Sequence, residues 1–266
     1  MNIYQEEMKQ KELASVALLE DIKRGIILKE FKAWYQPKFG KDGKTIEGAE
    51  ALVRWYKYGS IISPYIFIPL CECNGLIQDI DELVLEDVCR NQREWINKGM
   101  KIVPISINLS RNYLDKEDTI KRIFEIIDKY NMKPEYIQFE VTESSLVGNE
   151  EKLKTVLNTL REKGFKILLD DFGVGYSSMK TVADLKFDVL KIDKCFVDNI
   201  GDETGNHIIE YTVQLARQLQ MEVVVEGIEE ASQYEFLANL ECDFYQGYYF
   251  SKPISSIDFE MYLQAD

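Results

Sequence analysis

The chain has few of the side chains on which much enzyme chemistry depends. It holds one histidine, His207, in 266 residues, so a Ser-His-Asp triad or a multi-histidine zinc site would have to be built around that residue. It lies in the polar stretch GDETGNH and reads as a solvated residue at a helix entry. The five cysteines, Cys71, Cys73, Cys89, Cys195 and Cys242, are odd in number and lack paired CxxC spacing, which suits thiols used as small apolar side chains in a reducing compartment. No apolar run approaches the roughly 18 residues that a membrane-spanning helix needs. The N-terminus, MNIYQEEMKQKELASVALLEDIKR, is charged and shows no signal pattern, so the chain reads as cytoplasmic, with no membrane insertion. Cations are scarce: 32 Lys and Arg stand against 46 Asp and Glu, a net charge of -14. That field repels a DNA or RNA duplex and an anionic membrane surface. A small phosphate-bearing substrate stays open, provided one cleft supplies its own positive charge. Catalysis is thereby left to carboxylates, amides, lysine or metal.

What is present is a regular alternation. No low-complexity linker or Pro-rich hinge divides the chain, which reads as one domain over residues 1–266, with an N-terminal helix at about 6–24 and a barrel at about 29–262. In the helix Leu13, Val16, Leu19 and Ile22 form a broad apolar face. The runs FKAWYQPKF and TIEGAEALVRW, separated by a GKDGK turn, predict an antiparallel hairpin. Short apolar runs then alternate with helical periods: IVPISIN, YIQFEV, FKILL, DVLKI and MEVVVE against DTIKRIFEIIDKY, EEKLKTVLNTLREKG and IIEYTVQLARQLQ. This pattern predicts a parallel sheet covered on both faces by crossover helices. Its repetition, and the lack of a Gly-rich dinucleotide turn after an early strand, favour a closed α/β barrel of the TIM-like (β/α)8 kind over an open doubly wound sheet.

The strand ends carry the chemistry. Glu50, Asn108, Glu140, Asp170 with Asp171, Lys191, Glu226 and Gln246 each stand at or near the C-terminal end of a predicted strand, and in a parallel barrel those ends converge on one face. Any one of these acids alone is more readily a loop cap. Two adjacent acids after an apolar run, however, place a carboxylate against a buried wall, where an unpaired charge costs several kcal/mol. Four carboxylates and the Asn108 side-chain oxygen form an all-oxygen donor set, suited to Mg²⁺ or Mn²⁺ rather than zinc or copper. The paired aspartates allow a second ion about 3.5 to 4 Å from the first, as in two-metal phosphodiester cleavage. Lys191 fits as a cation that orients the attacking water, or else as a structural partner of the acids. Gly173 and Gly175 in DDFGVGYSS permit backbone of positive φ directly after the aspartates.

These residues in this order resemble the EAL-domain family of cyclic di-GMP phosphodiesterases. The match runs through YQP, EALVRW from Glu50, FIPLCE, SINLS, FEVTES, DDFGVGYSS, LKIDKCFV, VEGIE and QGYYFSKP, over roughly residues 12–262. The resemblance implies a barrel whose first strand is antiparallel, and hydrolysis of cyclic di-GMP to linear pGpG. By motif, Glu50, Asn108, Glu140 and Asp170 look like ligands of a first metal, and Asp170 and Asp171 like the second-metal site. Lys191 and Glu226 are similar to residues that position or deprotonate the nucleophilic water. Gln36, Leu52, Arg54 and Gln246 resemble substrate contacts, and Glu143 resembles the acid that holds the DDFGVG loop, a role coupled in the family to homodimer formation. The segment YKY after Trp55 is shorter than is usual in the family. Calcium is expected to inhibit, since its longer bonds misplace the water. The alternative is a catalytically silent receptor for the dinucleotide.

Overall fold

A computed structural model of the chain describes residues 2–111, 118–146, 150–173 and 179–264. In chain order these form α1 (Asn2–Ile27), β1 (Phe31–Phe39), β2 (Ile46–Lys57), β3 (Ser60–Ile62), α2 (Pro64–Asn74), α3 (Ile77–Asn97), β4 (Ile105–Asn108), α4 (Asp118–Lys129) and β5 (Ile137–Thr142). They continue as α5 (Glu150–Glu162), β6 (Lys166–Phe172), α6 (Met179–Leu185), β7 (Val189–Ile192), α7 (Lys194–Val197), α8 (Glu203–Gln218), β8 (Glu222–Val225), α9 (Ala231–Asn239), β9 (Phe244–Tyr245) and α10 (Ser256–Leu263). Among the described residues the sheet order is β1-β9-β8-β7-β6-β5-β4-β2-β3, and pairing of β1 with β2 closes it into a barrel with β3 as a flap on β2. β1 runs antiparallel to both its neighbours, β2 and β9, whereas β2, β4, β5, β6, β7, β8 and β9 are mutually parallel, as the sequence predicts.

The helices bury the faces that their periodicity dictates. In α3 the residues Ile77, Ile80, Val84, Val88 and Trp95 are all buried. α8 starts where the Asp202 carboxylate accepts hydrogen bonds from the N–H groups of Thr204 and Gly205, a strong start signal. His207 is exposed near that start. All five cysteines are free, with Cys71, Cys89 and Cys242 buried as apolar fillers.

The N-terminal helix departs from expectation. It is longer than residues 6–24, and only part of its expected apolar face is covered: Ile22 is buried, whereas Leu13 and Val16 are 62% and 60% exposed. Periodicity reports an apolar face and is silent on what covers it. The C-terminal part of α1 grips the hairpin through Asp21 with Lys57 and through Arg24, which donates to the Tyr58 hydroxyl at 2.7 Å.

The hairpin is anchored by residues that alternate across β1. Tyr35 is fully buried outside the barrel, stacked on Phe259 with ring centroids 5.1 Å apart, and its hydroxyl accepts from Asn91 at 2.8 Å. Gln36, the next residue, is on the other face and meets the Glu50 strand in register. Period-two alternation thus sends apolar side chains out to the helices and polar ones into the barrel. A small interior cluster of Leu168, Val189 and Val224, packed by Phe244, lies two residues before Asp170, Lys191, Glu226 and Gln246 on their strands. The interior is apolar at the bottom and ionic at the mouth.

Candidate active site

At the mouth the predicted residues meet. Lys191 on β7 is 1% exposed, and its ammonium nitrogen touches acids from four other strands. It donates to Glu140 Oε2 and lies 3.0 Å from Asp170 Oδ1, 2.6 Å from Glu226 Oε1 and 3.5 Å from Glu50 Oε2. Its other reading at the sequence level, a structural partner of the acids, is met by this geometry as well. Asn108 lies beside Glu50, with Nδ2 3.4 Å from Glu50 Oε1, and Gln246 donates to Glu50 Oε2 at 2.7 Å and to Gln36 Oε1 at 3.2 Å.

Asp171 reaches the mouth by a departure from strand geometry. Strict alternation would turn it away from Asp170, but the β6–β7 register slips between Leu169 and Phe172, and Asp171 takes a positive φ of 55°. Such a conformation costs a non-glycine residue about 1–3 kcal/mol, and strain of this kind concentrates at functional sites. Both aspartates consequently face the same groove. Gly173 follows at φ 91°, where an added Cβ would lie 2.3 Å from the Phe196 ring, and its N–H donates to Glu143 Oε2 at 2.7 Å. Gly175, with Val174 to Ser178, lies outside the described residues.

The mouth opens into a groove of about 1140 Å³ lined by Gln36, Leu52, Arg54, Asn108, Asp170 and Asp171, and on its outer side by Ile61, Tyr65 and Tyr248. Arg54 is set at the rim by stacking over Trp34, 5.6 Å from ring centre, and Trp34 in turn donates to Tyr56 Oη at 2.7 Å. Gln246 is not part of the groove wall. It is buried behind Glu50, where its amide orients that carboxylate.

Electrostatics show what the cluster lacks. Glu50, Glu140, Asp170, Asp171 and Glu226 supply five carboxylates against two buried ammonium groups, Lys191 and Lys38, and an ammonium has three N–H bonds for the four acids around Lys191. Burial, together with neighbouring acids, pushes the Glu226 carboxyl well above its usual range and raises Glu50 too. Burial and then Asp170 push Asp171 up to about 6. For Glu140 burial works against ionisation, but Lys191 and Lys38 outweigh it and hold the carboxyl at about 2. Lys191, despite burial, is held well above the ordinary lysine range by Asp170, Glu140 and Glu226. Among the described residues no three acid, cysteine or histidine side chains stand ready around one point to hold a metal, because the acids are drawn onto Lys191. The donor set nevertheless fits hard divalent ions: it is all oxygen, and it carries more negative charge than its lysines balance.

Two features escaped the sequence reading. Lys38 and Ser106 sit beneath the acids, Lys38 donating to Ser106 Oγ at 2.7 Å and to Glu140 Oε1 at 2.9 Å. The signal for Lys38 was its place two residues after Gln36, on the same face of β1. The other is Asp81 on α3, which lines the groove with Oδ2 lacking a hydrogen-bond partner. Burial raises its carboxyl to about 7, outweighing bonds from Ser110. Between about pH 4 and 7 the folded chain therefore holds a proton at Asp81 that the unfolded chain has released, so this group's contribution to stability falls as pH rises. Thermal melts of metal-free wild type and Asp81→Asn should diverge across that window, the variant gaining relative stability towards pH 8. A pH-independent difference would contradict the assignment.

Comparison with known proteins agrees with this geometry. The EAL domain model matches residues 19–253. The chain is 36% identical over 242 residues to the probable cyclic di-GMP phosphodiesterase PdeG of Escherichia coli, covering 90% of this chain and 48% of that protein. It is 36% identical over 235 residues to the signaling protein YkoW of Bacillus subtilis, covering 88% of this chain and 29% of that protein. It thus spans less than half the length of either relative. Among solved structures, the PaMucR phosphodiesterase in its c-di-GMP complex superposes with a TM-score of 0.85 at 31% identity, covering 91% of this chain and 99% of that one. With that model matching most of its length, the chain belongs to the EAL domain family.

Proposed function

We propose that the chain is a phosphodiesterase that opens cyclic di-GMP to linear pGpG with the help of two divalent ions, Mg²⁺ or Mn²⁺, in the cytoplasm. The observation that carries this reading is the cluster of four carboxylates gathered on Lys191 at the barrel mouth, adjoining through Asn108, Asp170 and Asp171 a groove rimmed by Arg54. The ions, held by Glu50, Asn108, Glu140, Asp170 and Asp171, would polarise the phosphate and make water nucleophilic at neutral pH.

The chain's own residues supply the rest. Arg54, already fixed by its stack on Trp34, offers its fork of donors to the phosphate oxygens. Leu52 and Gln36 shape the inner wall, and Gln246 keeps Glu50 in place from behind. Asp81, with its unpartnered oxygen on the groove wall, can make one hydrogen bond to a polar edge of the bound nucleotide. Glu226, 2.6 Å from the Lys191 nitrogen, stands where it can take a proton from the water, and Lys191 orients the water and offsets charge that develops in the transition state. We extend the proposal to a homodimer, in which the Glu143–Gly173 bond fixes the backbone directly after the paired aspartates.

The test is chromatography of cyclic di-GMP incubated with purified protein. Conversion to pGpG is expected with Mg²⁺ or Mn²⁺, with none in chelator and inhibition by Ca²⁺. Tight nucleotide binding without turnover would select the silent receptor, and a sedimentation profile of monomer alone would remove the dimer.

A further inference from the structure

Lys38 is a buried cation for which the reading above has no use. It is 3% exposed on β1, in register with Gly48 of β2, and it shares the inner face of β1 with Gln36. The lysine side chain passes Gly48 at ordinary van der Waals distance, 3.8 Å from where a Cβ would stand, and lies across β2 toward β4 and β5. There its ammonium is fixed from two sides. Ser106 Oγ accepts from it at 2.7 Å while donating to the Ala49 carbonyl at 3.3 Å, and Glu140 Oε1 accepts from it at 2.9 Å.

The division of labour on Glu140 is the informative part. Its two oxygens have separate lysines: Lys38 holds Oε1 from within the barrel, and Lys191 holds Oε2 from the mouth. Lys191 is shared among four acids and has to change partners if divalent ions are to occupy the mouth, whereas Lys38 has Glu140 and Ser106. A carboxylate that kept no cation while Lys191 moved would be buried, charged and free to rotate. We propose that Lys38 is a positioning residue for Glu140: it locks Oε1, presents Oε2 to the mouth, and keeps the carboxylate compensated so that Lys191 is released to act on water. This inference rests on the phosphodiesterase reading for its catalytic arm but not for its metal-binding arm.

The experiment compares wild type, Lys38→Met and Ser106→Ala in two assays: cyclic di-GMP hydrolysis at rising Mn²⁺, and the Mn²⁺-dependent rise in melting temperature without nucleotide. Residues that orient a metal ligand typically cost about 10- to 100-fold in metal affinity or activity when removed. Lys38→Met should therefore lose about that factor in kcat, with KM for the nucleotide within about threefold, and should need correspondingly more Mn²⁺ to reach half of its thermal shift. Ser106→Ala, which leaves the charge but removes one anchor, should move both readouts in the same direction by a smaller factor. A folded Lys38→Met with unchanged kcat and Mn²⁺ midpoint would overturn the proposal, and so would a lower midpoint, which would mean that Lys38 merely repels the ion. If Lys38→Met does not fold, unchanged values in Ser106→Ala overturn it. Wild type that binds Mn²⁺ but hydrolyses nothing would sink the phosphodiesterase reading and leave the Mn²⁺ midpoints to decide on Lys38.

Discussion

Lys191→Ala is expected to lower kcat for cyclic di-GMP by about 10²- to 10⁴-fold, the usual weight of a group that positions or moves a proton in the transition state, with little change in KM. The nitrogen lies buried beside four carboxylates at the barrel mouth, behind the groove lining, whereas Leu52 and Arg54 form the groove wall, so its loss should be felt in the chemical step more than in binding. The same variant should destabilise the metal-free protein, because removing one partner from a buried ionic network costs about 3–5 kcal/mol. Mn²⁺ should restore much of that loss by taking over as counter-charge. Kinetics run at saturating Mn²⁺ on a variant with native circular dichroism separate the two effects. Equal losses in kcat and in nucleotide affinity would show that Lys191 serves binding and not the reaction.

Glu50→Ala is expected to abolish the metal-dependent rate, by at least about a hundredfold, while the barrel persists. Glu50 is 6% exposed and lies where Asn108, Lys191 and Gln246 converge, so its removal takes a ligand from the proposed ions and releases Gln246. Its backbone pairing, with Gln36 on one side and Ser106 on the other, does not depend on the side chain. One buried acid fewer also relieves repulsion from Glu140 and Asp170, which favours the metal-free fold. A melting temperature at or above wild type, together with lost turnover, is the expected pair of results. Full activity in the variant would remove Glu50 from the metal site.

Much of this was legible in the sequence because strand chemistry is periodic. Apolar runs that end in Asn108, Glu140, Asp170, Lys191 and Glu226 could be aligned without coordinates, since parallel strands share a C-terminal face and side chains alternate. The antiparallel start was equally visible in the short GKDGK turn. What periodicity does not encode is local distortion and cross-barrel distance. The slip that turns Asp171 back to the mouth depends on β6–β7 pairing, and the reach of Lys38 from β1 to Glu140 on β5 depends on barrel closure. Gln246 shows the reverse case, a residue placed at the right end of the right strand that the structure puts behind Glu50 instead of in the groove wall. The helix α1 is a third kind of case, since an apolar face in sequence need not be covered in the fold.

The most direct test of the whole account is anomalous scattering from crystals of the protein grown with Mn²⁺. Two peaks are expected at the barrel mouth, each about 2.0–2.3 Å from oxygens drawn from Glu50, Asn108, Glu140, Asp170 and Asp171, with Lys191 withdrawn from some of its acids. Well-ordered crystals with no manganese at the mouth, and Lys191 still beside all four carboxylates, would contradict it.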